Sequence, residues 1–287
     1  MKRNEFLKLS GAVALNSLTS NSILAAFKNS EDTKKIKNFG LQLYTLRDDF
    51  PKDPKGVLKQ IASFGYKQVE SFEGTNGMFW GMTNKEFKSN LADLGMTIVS
   101  SHCDIYKNFE TKVADAAAIE MKYLICPWVG PQKKLDDFKK IADIFNQKGE
   151  ICKQNGIRFA YHNHNYSFEK LDGQYPQDIL LANTDPELVD FEMDIYWVVT
   201  AHENPEEWLK KYKNRFQLCH LKDRKKNATE RDASCDLGTG SINFAKIIKT
   251  ATQNGMKYFI VEQEKYDGTT PLKATQACAN YLKLLKF

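Results

Sequence analysis

Two histidines lie in the segment FAYHNHNY (159–166), and their spacing is the first indication of a functional site in this sequence. His162 and His164 stand two residues apart at the end of an apolar run. In an extended strand, residues two apart project from the same face. A metal site, a polar network and a sugar-binding rim each explain two imidazoles on one face, so the other polar residues must decide between them.

Eight short apolar runs alternate with longer amphipathic segments along the chain. Most runs are rich in Val, Ile, Leu, Phe and Tyr, as strands buried on both faces are. Strand–helix alternation repeated eight times predicts a parallel sheet, and eight units in about 250 residues is the size of a single-domain (β/α)8 barrel. A doubly wound open sheet is the alternative, but no G-x-G-x-x-G pattern follows the first run. The runs cover residues 39–45, 66–71, 97–103, 122–128, 157–164, 188–194, 216–222 and 258–264.

Glycines and capping residues indicate where the predicted helices end and begin. Gly65, Gly95 and Gly156 each follow an amphipathic segment, which is typical of a helix C-terminus. Asn204 and Pro205 form the expected N-cap and first helical position of a later segment.

Polar residues collect at the C-terminal ends of the predicted strands, where the active sites of such barrels lie. Four of the five histidines stand there, next to carboxylates that would be costly to bury without a partner. These strand-end residues are Gln42, Tyr44, Glu70, His102, Asp104, Trp128, His162, His164, Asp194, His220, Lys222, Glu262 and Glu264.

Four of these residues end the last four runs, at corresponding places in successive units. Neighbouring strands lie about 4.8 Å apart, so the four side chains can converge. Two imidazoles and two carboxylates suit Mn²⁺, Zn²⁺, Co²⁺ or Fe²⁺. Taken singly, a strand-end His is often a hydrogen-bonded rim residue and a strand-end Asp is often a helix cap. Together they predict a divalent metal site formed by His162, Asp194, His220 and Glu262.

The strand ends lie in segments that resemble the sugar phosphate isomerase/epimerase superfamily, the xylose isomerase-like TIM barrels. The resemblance covers nearly all of residues 36–287, and it implies that Mn, Co or Zn is held by the four residues named above. Sugar epimerases of this superfamily usually have a glutamate at the position of His162, where it also serves as a base. The histidine resembles a branch with inosose dehydratase-like proteins and lyases acting on 3-keto-glycosides. The segments are GLQLYTLRD, GYKQVE, GIRFAYHNHNYSFE, DIYWV, CHLKDR, LGTGSINF and VEQE.

The predicted activity is that of a divalent-metal-dependent isomerase or epimerase acting on a sugar or cyclitol. Such an enzyme removes a proton next to a carbonyl and stabilises an enediolate with its metal. A lyase using the same intermediate, by dehydration or by 3-keto-glycoside β-elimination, is the alternative. A non-catalytic carbohydrate-binding barrel is less favoured because the full ligand set is present. A nuclease of this fold is disfavoured because it needs more histidine and acidic ligands.

Further roles are expected at the same strand ends. Lys222 would stabilise an enolate or bind a sugar oxygen, or else form a salt bridge to Glu70. His164 would act on the substrate or hydrogen-bond a metal ligand. The segment DLGTGS (236–241) would present N–H groups to an anion or form only a turn. The expected catalytic residues are Glu262, His164, Lys222 and Glu70. The expected substrate contacts are Tyr44, His102, Trp128, Trp197 and Arg224, although core packing is the simpler explanation for any single aromatic.

Charge and the N-terminal segment bear on partners and location. The net charge is +5, without a block of basic residues, so a sugar or cyclitol rather than a nucleic acid is the expected partner, and a homo-oligomer is possible. Residues 1–26 resemble a twin-arginine export signal with Lys2 and Arg3 at its start. This predicts a periplasmic protein without stable membrane insertion; a tail on a cytoplasmic enzyme is the alternative. The six cysteines include no C-x-x-C pair and are expected to be structural.

Overall fold

Eight parallel strands close into a barrel in the computed structural model, which describes residues 34–287. Each strand pairs with the next along the chain, and the last pairs with the first. The barrel predicted from strand–helix alternation is therefore confirmed, and the open-sheet alternative is excluded. The strands are β1 Gly40–Gln42, β2 Gln68–Phe72, β3 Thr97–His102, β4 Tyr123–Cys126, β5 Arg158–His162, β6 Val189–Asp194, β7 Phe216–Leu221 and β8 Tyr258–Val261.

Helices connect the strands, with two in succession after β6. Gly65 ends the first helix at φ 100°, a left-handed conformation that glycine adopts without steric cost. The side chain of Asn204 accepts a hydrogen bond from the N–H of Glu206, and Pro205 begins that helix, as predicted. The helices are α1 Pro54–Phe64, α2 Asn84–Asp93, α3 Phe109–Ala118, α4 Leu135–Gln154, α5 Pro176–Asn183, α6 Ile195–Thr200, α7 Pro205–Lys211, α8 Phe244–Gln253 and α9 Pro271–Leu284.

The buried residues divide into two clusters. The larger packs the strands against the surrounding helices. The smaller one contains Ala160, Leu218 and Ile260. Each of these stands two residues before a predicted metal ligand, and so lies on the same face of its strand as that ligand. This apolar cluster therefore underlies the polar C-terminal end of the barrel.

Strand pairing changes register at two places, both beside a buried glutamate. One shift lies between Val69 and Glu70, where β2 pairs with β3. The other lies between Phe191 and Glu192, where β6 pairs with β7. Irregularities of this kind re-aim side chains and are frequent next to active sites.

The helices, the cysteines and the N-terminal segment each bear on a prediction made from the sequence. No helix within residues 34–287 has the length and apolar character needed to cross a bilayer. All six cysteines are free, and all but Cys235 are buried, as expected for structural residues. The predicted export signal, residues 1–26, lies outside the described residues, so its role stays a prediction.

Candidate active site

The C-terminal end of the barrel brings the four predicted metal ligands together. Nδ1 of His220 lies 3.2 Å from Oε2 of Glu262 and 3.8 Å from Oδ2 of Asp194. Nε2 of His162 lies 3.9 Å from the same Asp194 oxygen. All four side chains are buried. We call these four residues the ligand group.

Asp194 carries the clearest indication that the ligand group suits a cation. Its Oδ1 accepts the backbone N–H of Trp197 at 3.2 Å and so caps α6. Its Oδ2 is buried and has no hydrogen-bond partner in the described part of the chain. A buried carboxylate oxygen without a partner is costly, and a divalent cation among His162, His220 and Glu262 would satisfy it. Asp194 can therefore serve as a helix cap and a ligand at once.

Glu192 lies beneath the ligand group and is absent from the predicted site residues. Its Oε2 is 2.8 Å from Nε2 of His102, 3.2 Å from Nδ1 of His162 and 3.3 Å from Nε2 of His220. It precedes Asp194 by two residues on β6 and shares its face. The same spacing rule that paired His162 with His164 could have identified it.

Glu70 also contacts the buried histidines. Its Oε1 lies 2.7 Å from Nε2 of His220 and 3.1 Å from Nε2 of His102. Gln42 and Ser100 donate further hydrogen bonds to its two oxygens at 2.8 and 2.5 Å. Glu70 does not line the cavity above the ligand group. Its carboxylate therefore contacts imidazoles rather than the cavity, and the expected direct action of Glu70 on substrate stays an untested prediction.

Lys222 is buried among three carboxylates, and Glu70, the partner considered from the sequence, is not one of them. Its ammonium lies 3.2 Å from Glu262, 3.1 Å from Glu264 and 3.8 Å from Asp194. Burial alone would lower the pKa of Lys222, but these carboxylates outweigh it and raise the pKa above its ordinary value. The group stays charged, and the salt bridge to Glu70 is not formed.

The buried carboxyl groups have strongly shifted pKa values. Burial raises the pKa of Asp194 to about 7. Burial and the neighbouring Glu70 raise the pKa of Glu192 to about 7. Burial also acts on Glu262, but Lys222 and His220 outweigh it and hold the pKa of Glu262 below its ordinary range. A divalent cation bound among these carboxyl groups would stabilise their charged forms.

A cavity of about 510 Å³ opens above the ligand group. Its size is within the usual range for small-molecule sites. Tyr44 and Trp128 form part of its rim and are 39% and 49% exposed. Six predicted site residues line this cavity: Tyr44, His102, Trp128, His162, His164 and Glu262.

His164 differs from the three histidines below it. Its ring lies between those of Trp128, at a centroid distance of 4.5 Å, and Trp197, at 5.3 Å. Its side chain makes no hydrogen bond and contacts no carboxylate in the described part of the chain, and its Nδ1 is buried. Burial lowers the pKa of His164 to about 3, so the ring is neutral. The alternative that it hydrogen-bonds a metal ligand is not supported.

Arg224, an expected substrate contact, is engaged in hydrogen bonds within the protein. Its guanidinium donates to the carbonyl groups of Ala228, Glu230 and Arg231 at 3.1, 2.7 and 3.1 Å, and to the hydroxyl of Tyr196 at 2.9 Å. These bonds hold the loop formed by residues 225–233. Because Arg224 is engaged in the loop, it does not line the cavity.

The DLGTGS segment does bind an anion, but that anion is a side chain of the protein. The N–H groups of Gly238 and Gly240 each donate to Oδ2 of Asp223 at 2.9 Å. Those of Ile242 and Arg224 donate to its Oδ1 at 3.2 and 2.8 Å. Asp223 thus fixes the segment that leads into α8.

Two relatives that match this chain are dehydratases. The chain is 26% identical to an inosose dehydratase of Clostridium perfringens strain ATCC 13124, over 91% of this chain and 86% of that protein. A second inosose dehydratase, from strain 13, is 31% identical over 52% of this chain and 54% of its own length.

A solved structure and a family model complete the comparison. A sugar phosphate isomerase/epimerase from Parabacteroides distasonis superposes with a TM-score of 0.74 at 31% identity, covering 88% of this chain and 95% of that one. The family model described as xylose isomerase-like TIM barrel matches residues 58–285. The match spans most of the barrel and agrees with the closed eight-stranded fold. The chain therefore belongs to the xylose isomerase-like TIM barrel family of sugar-modifying enzymes.

Proposed function

We propose that this protein is a divalent-metal-dependent isomerase or epimerase of a keto-sugar or keto-cyclitol. The observation that carries the proposal is the buried Oδ2 of Asp194, which has no hydrogen-bond partner within residues 34–287 and lies among two imidazoles and Glu262. Mixed nitrogen and oxygen ligands suit Mn²⁺, Co²⁺ or Zn²⁺. A metal bound there supplies Lewis acidity that polarises a substrate carbonyl.

The protein's own residues provide the remaining chemistry. His164 lines the cavity, and its side chain makes no hydrogen bond within residues 34–287. We assign it the transfer of the proton next to the carbonyl, a role that requires bound substrate to raise the low pKa that burial gives this ring. Lys222, held in its charged form by Glu262 and Glu264, places a positive charge beside the cavity where an enolate oxygen would develop.

A lyase reaction is the second candidate, and two observations favour it. Both curated relatives described above are dehydratases, one of them aligned over most of this chain. His162 also stands where epimerases of the superfamily are expected to have a catalytic glutamate. An imidazole that binds metal through Nε2 and faces Glu192 through Nδ1 cannot readily shuttle a proton. An epimerase needs a second base at the position of His162. Loss of water or of a glycosyl group from the enediolate would need only one base, for which His164 is available.

Metal content tests the site. Asp194→Asn removes the charge but keeps an N-cap acceptor for α6. Mass spectrometry of purified wild type should find about one divalent metal per chain, and Asp194→Asn should lose it while keeping its circular dichroism spectrum. Glu73→Gln is the matched control, because Glu73 lines the same cavity but pairs with Lys112 at 2.7 Å. A wild type that binds none of Mn²⁺, Co²⁺ and Zn²⁺ would refute the proposal.

The reaction class is tested with 3-keto-glucose and 2-keto-myo-inositol in D₂O. Isomerisation or epimerisation should place deuterium next to the carbonyl and yield a new sugar in the proton NMR spectrum. Elimination should yield an unsaturated ketone that absorbs in the near ultraviolet. His164→Gln should abolish either signal without removing the metal. If neither ketone exchanges deuterium or changes, proton removal next to a carbonyl is the wrong chemistry for these substrates.

A further inference from the structure

A second cavity, of about 350 Å³, adjoins the one above the ligand group. We call the first the inner cavity and the second the outer cavity. The two share part of their walls, so an occupant of one can continue into the other. The shared residues are Tyr44, Trp128, His164 and Glu264.

The two cavities differ in chemistry. The inner one contains acidic residues and members of the ligand group. The outer one adds Arg47, Arg231, Lys265, Asp232 and the ring of Trp197 to the shared residues. The guanidinium of Arg231 lies over Trp197 at 4.3 Å and 3.3 Å from Asp232, and that of Arg47 lies over Tyr44 at 4.8 Å. Cationic, aromatic and carboxylate side chains thus form the outer wall, which includes no member of the ligand group.

Aromatic surface is exposed where the cavities meet. Tyr44 and Trp128 stand at the shared wall and, with Tyr106, are the prominently exposed aromatic side chains of residues 34–287. Exposed apolar surface beside polar groups typically marks a binding groove. A ring with apolar C–H faces and polar edges, such as a pyranose, matches aromatic faces flanked by guanidinium groups.

The outer wall is held in place by the protein itself. The carbonyl group of Arg231 accepts a hydrogen bond from Arg224 at 3.1 Å and another from the hydroxyl of Tyr196. The base of the loop is closed by a 2.9 Å hydrogen bond from the N–H of Lys225 to the carbonyl of Ala233. Arg224 therefore acts as a positioning residue for Arg231, and the cavity needs little rearrangement to receive a ligand.

We propose that the outer cavity is a second sugar subsite, which binds a glycosyl ring linked to the ring that reacts in the inner cavity. The preferred substrates would then be two-ring glycosides, with single keto-sugars and keto-cyclitols bound more weakly by the inner cavity alone. This inference rests on the proposed function and refines it. It assigns binding roles to Arg231 and to the shared aromatic residues.

Isothermal titration of the Mn²⁺-loaded protein with glucose, cellobiose and maltose tests the subsite. None of these sugars carries the keto group of the proposed substrates, so binding is measured without turnover. At least one disaccharide should bind about tenfold more tightly than glucose, because its second ring gains aromatic contact. Arg231→Ala should remove this gain and leave the Kd for glucose unchanged.

Lys226→Ala is the matched control, because Lys226 is exposed in the same loop but does not line either cavity. It should preserve the disaccharide preference. Equal affinities for glucose and both disaccharides, or no binding of any sugar, would overturn the subsite. The metal and deuterium-exchange measurements do not depend on a second ring, so they would still decide the proposed function separately.

Discussion

Oε2 of Glu192 lies 3.2 Å from Nδ1 of His162, while Nε2 of the same ring faces Asp194 at 3.9 Å. The imidazole of His162 therefore lies between the carboxylate of Glu192 and that of Asp194. If Nδ1 donates its proton to Glu192, Nε2 keeps its lone pair for a metal. Carboxylates that fix histidine tautomers in this way are a common feature of metal sites.

Glu192→Gln should weaken metal binding without removing a ligand. The amide keeps the shape of the side chain but loses the charge that orients His162. We expect the affinity for Zn²⁺ to fall by roughly 10–100-fold, measured by competition with a chelator. Glu73 lines the inner cavity but pairs with Lys112, so Glu73→Gln should bind Zn²⁺ like the wild type. An unchanged affinity in Glu192→Gln would show that Glu192 does not position the ligand.

Lys222→Met should make stability depend on metal. The substitution removes the ammonium that faces Glu262, Glu264 and Asp194. Leaving buried carboxylates unpaired should reduce the free energy of unfolding of the metal-free protein by roughly 3–5 kcal/mol. Mn²⁺ should restore much of the loss because it neutralises the same oxygens and binds the folded state. Thermal unfolding with and without MnCl₂ measures both effects.

Lys112→Met is the comparison for that experiment. Lys112 pairs with Glu73 outside the ligand group. Its loss of stability should be the same with and without Mn²⁺. If Mn²⁺ raises the Tm of Lys222→Met no more than that of Lys112→Met, then Lys222 and the metal do not act on the same carboxylates.

Asp223→Ala should destabilise the barrel strongly, because one carboxylate satisfies several backbone donors. Gly238, Gly240, Ile242 and Arg224 would each lose their acceptor. We expect a loss of at least about 3 kcal/mol in urea unfolding. Asp223→Asn, which keeps one acceptor oxygen, should lose less. Equal losses in the two variants would mean that packing, not hydrogen bonding, holds this segment.

Glu206 gives a pH-dependent prediction away from the candidate active site. Burial raises its pKa, but hydrogen bonds from Lys246 at 2.8 Å and Thr250 at 2.9 Å outweigh burial and hold the pKa of Glu206 below its ordinary value. A carboxyl group with a lowered folded pKa stabilises the protein above its unfolded pKa of about 4.3. That stability is lost as the pH falls through the folded pKa.

Glu206→Gln should therefore be less stable than the wild type at pH 7. The difference in the free energy of unfolding should shrink below about pH 4. Urea unfolding of both proteins across this range measures it. A difference that stays constant with pH would rule out the charged form of Glu206 as the source.

The sequence was sufficient to predict the barrel and the convergence of the four residues of the ligand group, for the same reason; metal binding by them stays a prediction. Each apolar run ends in a polar residue, and parallel strands in a barrel place those ends together, so His162, Asp194, His220 and Glu262 could be grouped without coordinates. Tyr44 and Trp128 at the rim followed from the same rule.

The supporting contacts required the three-dimensional structure. Glu192 meets His102 across the barrel, on strands that are not neighbours, and a register shift directly before Glu192 affects its position. Arg224 follows the C-terminal end of β7, where substrate-binding residues are expected. Its side chain instead hydrogen-bonds to the loop formed by residues 225–233. Such pairings depend on loop conformation, which strand periodicity does not encode.

The carboxylate of Asp223 has a consequence for the choice between phosphorylated and unphosphorylated sugars. In many (β/α)8 enzymes, loops after the seventh and eighth strands and a helix N-terminus provide N–H groups that bind a substrate phosphate. Here the N–H groups of Gly238, Gly240 and Ile242 already surround Asp223. A phosphate would meet a negative charge and lack donors at this position, which agrees with our proposal of substrates recognised through their hydroxyl groups and ring faces.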